Sequence, residues 1–153
     1  MATESSSGTL APAVQTAAYK GNVEELRRLR VGEAGGKPVD ATGKYGRTAL
    51  HEAAQNGRLE AVQYLLRRGA TVDVPSNSKD TALHIAAYSG HAAVARELAL
   101  HGADPRLAAK SGLTPLQQAE RRGHGVAIGA AIEEGQQARA ATQVHRRFTV
   151  EHT

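Results

Sequence analysis

The sequence predicts an all-α solenoid of stacked helix-turn-helix units, with short hairpin-like turns between the repeats. Three observations point there. The first is a fixed period. The segments GRTALHEAAQNG, KDTALHIAAYSG and GLTPLQQAERRG begin at positions 46, 79 and 112, an offset of 33 residues. Thr48, Thr81 and Thr114 share one phase, as do Leu50, Leu83 and Leu116, and Gly69, Gly102 and Gly135. A constant period with the same residue types in phase means units that stack on their neighbours, not a core closed around a pocket. The second observation is punctuation. Each Thr is a good N-cap, and Gly57, Gly90 and Gly123 break the short segment that follows it. The third is composition. The chain is 41% hydrophobic but only 3% aromatic, with one Phe, four Tyr and no Trp. Ala, Leu and Val suit thin layers in close approach and suit a deep ligand cavity poorly.

The elements follow in order. Residues 1–9 are rich in Ser and Thr, lack periodicity and are expected to form a disordered tail. From Leu10 a helical stripe of Val14, Ala17 and Ala18 runs to Gly21. Asn22 then stands three residues before Glu25 in the pattern of a capping box, ahead of the stripe Val23, Leu26 and Leu29. This first pair matches the later ones if about three residues are inserted between Val31 and Pro38. The later units repeat one order. A polar turn leads to a short helix from Thr48, Thr81 or Thr114, with Pro115 at a first position where its missing N–H costs nothing. Second helices are expected over 59–68, 92–100 and 126–133, with Gly69, Gly102 and Gly135 as left-handed C-terminal residues. Ala53-Ala54 and Ala86-Ala87 would let neighbouring units approach closely. Repeat boundaries fall near 10–45, 46–78, 79–111 and 112–135, leaving 136–153 as a basic helix or tail.

Thr-Ala-Leu-His-x-Ala-Ala-x-x-Gly, with Gly69-Ala70 and Gly102-Ala103 after the second helices, resembles the ankyrin repeat. The resemblance covers roughly Leu10 to Gly135. It is closest in the two middle repeats, partial in the fourth and faintest in the first. It implies an ankyrin-repeat solenoid whose concave face, built from turn tips and the ends of the short helices, binds another protein. Carried onto this chain, that face comprises Tyr19, Lys20, Lys44, Tyr45, Arg47, Gln55, Asn56, Asn77, Ser78, Asp80, Tyr88, Ser89, Lys110, Leu113, Arg121 and Arg122. The set holds three of the four tyrosines. Its six cations and one carboxylate give a net +5, against +4 for the whole chain. Tyr supplies contact area and a polar tip at small entropy cost, and clustered cations steer acidic partners. The partner is therefore expected to be a protein with an acidic or phosphorylated contact surface. The plainer reading is that these charges only keep the surface solvated. Two departures from the family pattern stand out. Lys79 occupies a turn position that favours Gly, so its tip is expected to be remodelled or looser. Gln117 replaces the usual His, and Gly125 and Gly129 weaken the last second helix.

Little in the chain supports chemistry. No Gly-rich phosphate loop, Cys/His pair or Gly-x-Ser-x-Gly is present, so the chain is read as non-enzymatic, with no catalytic residues and no cofactor. The absence of cysteine excludes disulfides and thiolate sites. Seven histidines invite a metal reading. His51 and His84, however, lie one repeat apart, and adjacent repeats are about a helix diameter, ~10 Å, from each other, too far to share an ion. Each imidazole is expected to bridge Thr48 or Thr81 and backbone at the turn between layers; His91 and His124 are expected to cap or face solvent. No apolar run approaches the ~20 residues that span a bilayer, and the first residues do not read as a secretory signal. An intracellular monomer, cytoplasmic or nuclear, is the default expectation. Binding to nucleic acid is disfavoured by the modest total charge and the lack of stacking aromatics.

After Gly135 the chain leaves the repeat pattern. Ala141, Val144 and Phe148 share a stripe that would pack a helix on the last repeat. Arg146-Arg147-Phe148-Thr149 also resembles a site for kinases that prefer basic residues upstream, with Thr149 as acceptor. The change of composition fits a fragment or short form of a larger signalling or regulatory protein as well.

Overall fold

The computed structural model describes residues 10–151, and side chains from 13 to 147. The segment read as a disordered tail lies outside the described residues. Helices come in antiparallel pairs: α1 (Leu10–Lys20) with α2 (Val23–Arg28), α3 (Ala49–Gln55) with α4 (Leu59–Arg67), α5 (Ala82–Ser89) with α6 (Ala92–Leu100), and α7 (Pro115–Arg121) with α8 (Gly125–Glu151). The first helices of each pair, α1, α3, α5 and α7, pack in succession as one layer, and the second helices, α2, α4, α6 and α8, as the other. No strand occurs among the described residues.

Capping explains where the short helices begin. Thr48, Thr81 and Thr114 are extended, and each hydroxyl accepts from the backbone N–H three residues on. Each third residue returns the bond: His51 and His84 through Nδ1, Gln117 through its amide oxygen. Gln117 thus preserves the cap that the family histidine makes. At the start of α2, Asn22 caps Glu25 N–H at 3.0 Å, but the Glu25 carboxylate turns to Arg28 instead of closing the box.

Layers are held by small residues first. Ala53, Ala54, Ala86 and Ala87 are completely buried, as are Leu65, Leu83 and Leu98, so helices of adjacent repeats meet at alanine while leucines fill the space between. Fully burying each such Leu contributes about 1.5–3 kcal/mol. Polar rungs then lock the register. His51 Nδ1 accepts the Thr48 N–H, which places the ring proton on Nε2, and Nε2 donates to the Asp80 carbonyl at 2.9 Å. His84 repeats this with Thr81 and the Leu113 carbonyl at 3.1 Å. Burial holds both imidazoles below their ordinary pKa, because the charged form loses its hydration. His91 is also a rung, its Nε2 donating to the Gln55 carbonyl at 3.0 Å. On the far side, Asp40 accepts from the Thr71 N–H and Asp73 from the Asp104 N–H. Burial pushes the Asp73 carboxyl up. The next position in this phase is Arg106, which pairs locally with Asp104 at 3.0 Å.

The turn tips share one design. The Gly43 N–H donates to the Arg47 carbonyl, Ser76 to Asp80 and Ala109 to Leu113, at 2.9, 2.9 and 3.0 Å. Lys79 does adopt the left-handed φ of 61°, but its tip keeps this bond and is not remodelled. Successive tips are joined by Asn77 N–H to the Tyr45 carbonyl and Lys110 N–H to the Ser78 carbonyl, both 2.9 Å.

The last helix departs from expectation. Gly135 does not end it, since α8 is continuous from Gly125 to Glu151. Gly135 is buried instead against α6, and a Cβ there would lie 2.6 Å from the Ala99 Cβ and 2.9 Å from the Leu100 nitrogen. Ile128, Ala131 and Ile132 bury the same face. From Arg139 to Arg147 the side chains of α8 are exposed. Ala141 and Val144, expected to pack on the last repeat, are exposed, Val144 by 68%; the Phe148 side chain, third in that stripe, lies outside those described.

Candidate functional site

Tips and helix ends of three successive repeats enclose a cleft of about 640 Å³ on the short-helix side. Its chemistry follows from the period. Positions that leave the helix toward the cleft recur every 33 residues, so Gln55, Tyr88 and Arg121 form one column and Asn56, Ser89 and Arg122 the next. Of the sixteen residues singled out in the sequence, eleven line the cleft: Tyr45, Arg47, Gln55, Ser78, Asp80, Tyr88, Ser89, Lys110, Leu113, Arg121 and Arg122. Five do not. Tyr19 and Lys20 are exposed on the first repeat, and the Tyr19 carbonyl accepts from Asn56 and Arg58. Asn56 is consequently a strut between repeats. Lys44 lies over the Tyr45 ring at 5.1 Å from its centroid, and Asn77 ties its backbone to the neighbouring tip.

The tyrosines are presented, not buried. Tyr45 is 61% exposed and Tyr88 50%, whereas Tyr64 is packed in the core. The Arg122 guanidinium lies 4.5 Å from the centre of the Tyr88 ring, close enough for cation–π attraction. The charges differ in how they are answered. Arg47 Nε sits 3.2 Å from a Glu52 oxygen without an aligned hydrogen bond, and its guanidinium also donates to Gln55. Lys110, Arg121 and Arg122 are exposed, and no carboxylate pairs with them among the described residues. The one carboxylate lining the cleft, Asp80, accepts from Gln118 at 3.3 Å.

Five lining residues were missed in the sequence: Ser76, Ile85, Ala109, Ser111 and Gln118. The period itself carried the signal. Ile85 and Gln118 are in phase with Glu52, one helical turn before the Tyr88 column, and Ser111 is in phase with Tyr45 and Ser78. Thr149 lies in the last turns of α8, with its side chain outside those described.

Among the described residues no three His, Asp or Glu side chains converge as a metal site would require, and no helix is long and apolar enough to cross a membrane. Sequence comparison points the same way as the geometry. Family profiles described as ankyrin repeats in many copies match residues 14–66 and 66–119. Over 57 residues the chain is 47% identical to Palmitoyltransferase AKR1 of Yarrowia lipolytica, a stretch that is 37% of this chain and 8% of that protein. The chain thus corresponds to a small part of that relative's length. Four helix pairs in register, turn tips pinned by the same bond, His51 and His84 rungs between layers, and profiles matched across most of the length together identify the chain as a member of the ankyrin repeat family.

Proposed function

We propose that the chain is a non-enzymatic protein-interaction module, an adaptor or scaffold, that holds an acidic protein segment on its concave face. Ankyrin repeats generally mediate contacts between proteins. The observation that carries the reading is the cleft, where exposed Tyr45 and Tyr88 stand with Lys110, Arg121 and Arg122, cations that no carboxylate pairs with among the described residues. The mechanism is presentation. Stacked helices hold these side chains in fixed geometry, so little conformational entropy is lost on binding.

Affinity capture with the wild type beside a Tyr45→Ala, Tyr88→Ala, Arg121→Glu variant tests it. Proteins lost only from the variant are concave-face ligands, and their affinity should fall as salt rises. A variant that retains the same proteins, or an affinity indifferent to salt, refutes the reading. A second reading is that these repeats serve as one segment of a longer signalling or regulatory protein. The match to a short stretch of a much longer relative favours it. The mass of the native protein on an immunoblot decides between a short chain and a long one.

A further inference from the structure

The cations of the cleft are not equivalent, and that asymmetry narrows what the cleft can hold. At the second-repeat end Arg47 is engaged by Glu52 and Gln55, and its side chain is only 20% exposed. At the third- and fourth-repeat end Lys110, Arg121 and Arg122 project with no ion-pair partner among the described residues. Among the lining residues, positive charge without an ion-pair partner therefore gathers at one end of the cleft. Arg122 is also oriented, because its guanidinium lies over the Tyr88 ring. A guanidinium held over a ring by cation–π attraction still has N–H groups able to bind an oxyanion in a bidentate way. Apolar residues also line the cleft. Ile85 stands in the phase that holds Glu52 before it and Gln118 after it, and it is half-buried; Ala109 and Leu113, on the tip that carries Lys110, line the same cleft. An aliphatic side chain among polar ones in that column gives the cleft an apolar floor next to its cationic end.

We propose that the cleft reads an extended peptide of bipartite chemistry: an aliphatic side chain seated over Ile85, Ala109 and Leu113, followed within a few residues by paired acidic side chains held by Lys110, Arg121 and Arg122. This rests on the concave face being a protein-binding surface, and it specifies the ligand. Two repeat steps of roughly 10 Å each accommodate about six residues of extended chain at ~3.3 Å apiece, which suits a short linear segment better than a folded domain.

Selection of a random peptide display library on the full chain tests the proposal, followed by fluorescence anisotropy with the synthetic winners. Enrichment of an aliphatic residue with two or more Asp or Glu in the next four positions is expected. Arg121→Glu with Arg122→Glu should weaken the winning peptide at least tenfold and Ile85→Asp comparably, while Arg67→Gln, an exposed cation on α4 that does not line the cleft, changes affinity less than twofold. Thermal melts of each variant separate lost binding from lost fold. A second peptide carrying phosphoserine at the acidic positions tells whether phosphate serves as well as carboxylate. No enriched peptide, winners without acidic residues, winners insensitive to Arg121→Glu with Arg122→Glu, or an Arg67→Gln loss of equal size each overturn the proposal. So does a random single-stranded oligonucleotide that binds more tightly than the best peptide. If acidic peptides fail while captured proteins still depend on Tyr45 and Tyr88, the interaction module stands and only this specification falls.

Discussion

Two glycines in one helix predict opposite outcomes for the same substitution. Gly129 and Gly135 both lie inside α8, and neither has a left-handed φ. Helix propensity alone says that alanine at either site stabilises by about 1 kcal/mol. The surroundings differ. A Cβ at Gly129 would meet only the Leu116 Cδ1, at 3.5 Å, which is ordinary contact. A Cβ at Gly135 would press on the Ala99 Cβ at 2.6 Å, the Leu100 nitrogen at 2.9 Å and the Arg96 carbonyl oxygen. Two of those three neighbours are α6 backbone and none is the end of a flexible side chain, so the helices must separate. Overpacking of this kind costs about 1–3 kcal/mol. The propensity contribution is common to both variants and cancels in their difference. Gly135→Ala should therefore be less stable than Gly129→Ala by about 1–3 kcal/mol, with Gly129→Ala above the wild type. Urea unfolding followed by far-ultraviolet circular dichroism, with free energies taken at a common slope, gives the comparison. Equal stability of the two variants, or a Gly135→Ala protein more stable than the wild type, would show that α8 does not rest on α6 as described.

Other perturbations probe the rungs, the tips and the free end. His51 and His84 are held neutral by burial, with Arg47 and Asp80 near the first and Asp80 and Asp73 near the second. Their folded pKa values lie below the unfolded one, so as pH falls through about 6.5 the unfolded chain takes up protons that the folded chain refuses. Stability should be full above that pH and decline from there toward pH 5, and replacing both histidines with Gln should flatten the decline between urea midpoints at pH 7.5 and 5.5. Lys79→Gly should stabilise by up to about 1 kcal/mol, because relief of the left-handed strain outweighs the added freedom of the unfolded chain; a lower melting temperature would count against a strained tip. Val144→Ser should leave the urea midpoint within error, since Val144 is 68% exposed. A loss above ~0.5 kcal/mol would mean that the outer part of α8 packs on something.

The repeated order was legible because each local signal acts within one unit. Thr48, Thr81 and Thr114 start helices by accepting a bond three residues away, and Gly57, Gly90 and Gly123 turn the chain with φ near 64–83°. Histidine as a rung could be foreseen too, since a buried imidazole in phase with a capping threonine has few partners other than backbone. The cleft was legible in part. The resemblance to ankyrin repeats, carried along the 33-residue period, assigned the Tyr88 and Arg121 column, but not that Asn56 is spent on the Tyr19 carbonyl or that Glu52 answers Arg47. Those depend on side chains that reach across repeats or between neighbouring columns, and spacing along the chain does not report such reach.

By itself, the amino-acid order determined the unit, its period and which residues cap, turn and fill it, because those choices are settled by hydrogen bonds and φ values within a few residues. Only the packed array decided what becomes of Gly135, of Ala141 and Val144, and of each cation near the cleft. A glycine reads alike whether it ends a helix or admits a neighbouring one, and a charge reads alike whether a partner answers it or not. What separates the two cases is the atom that stacking brings alongside.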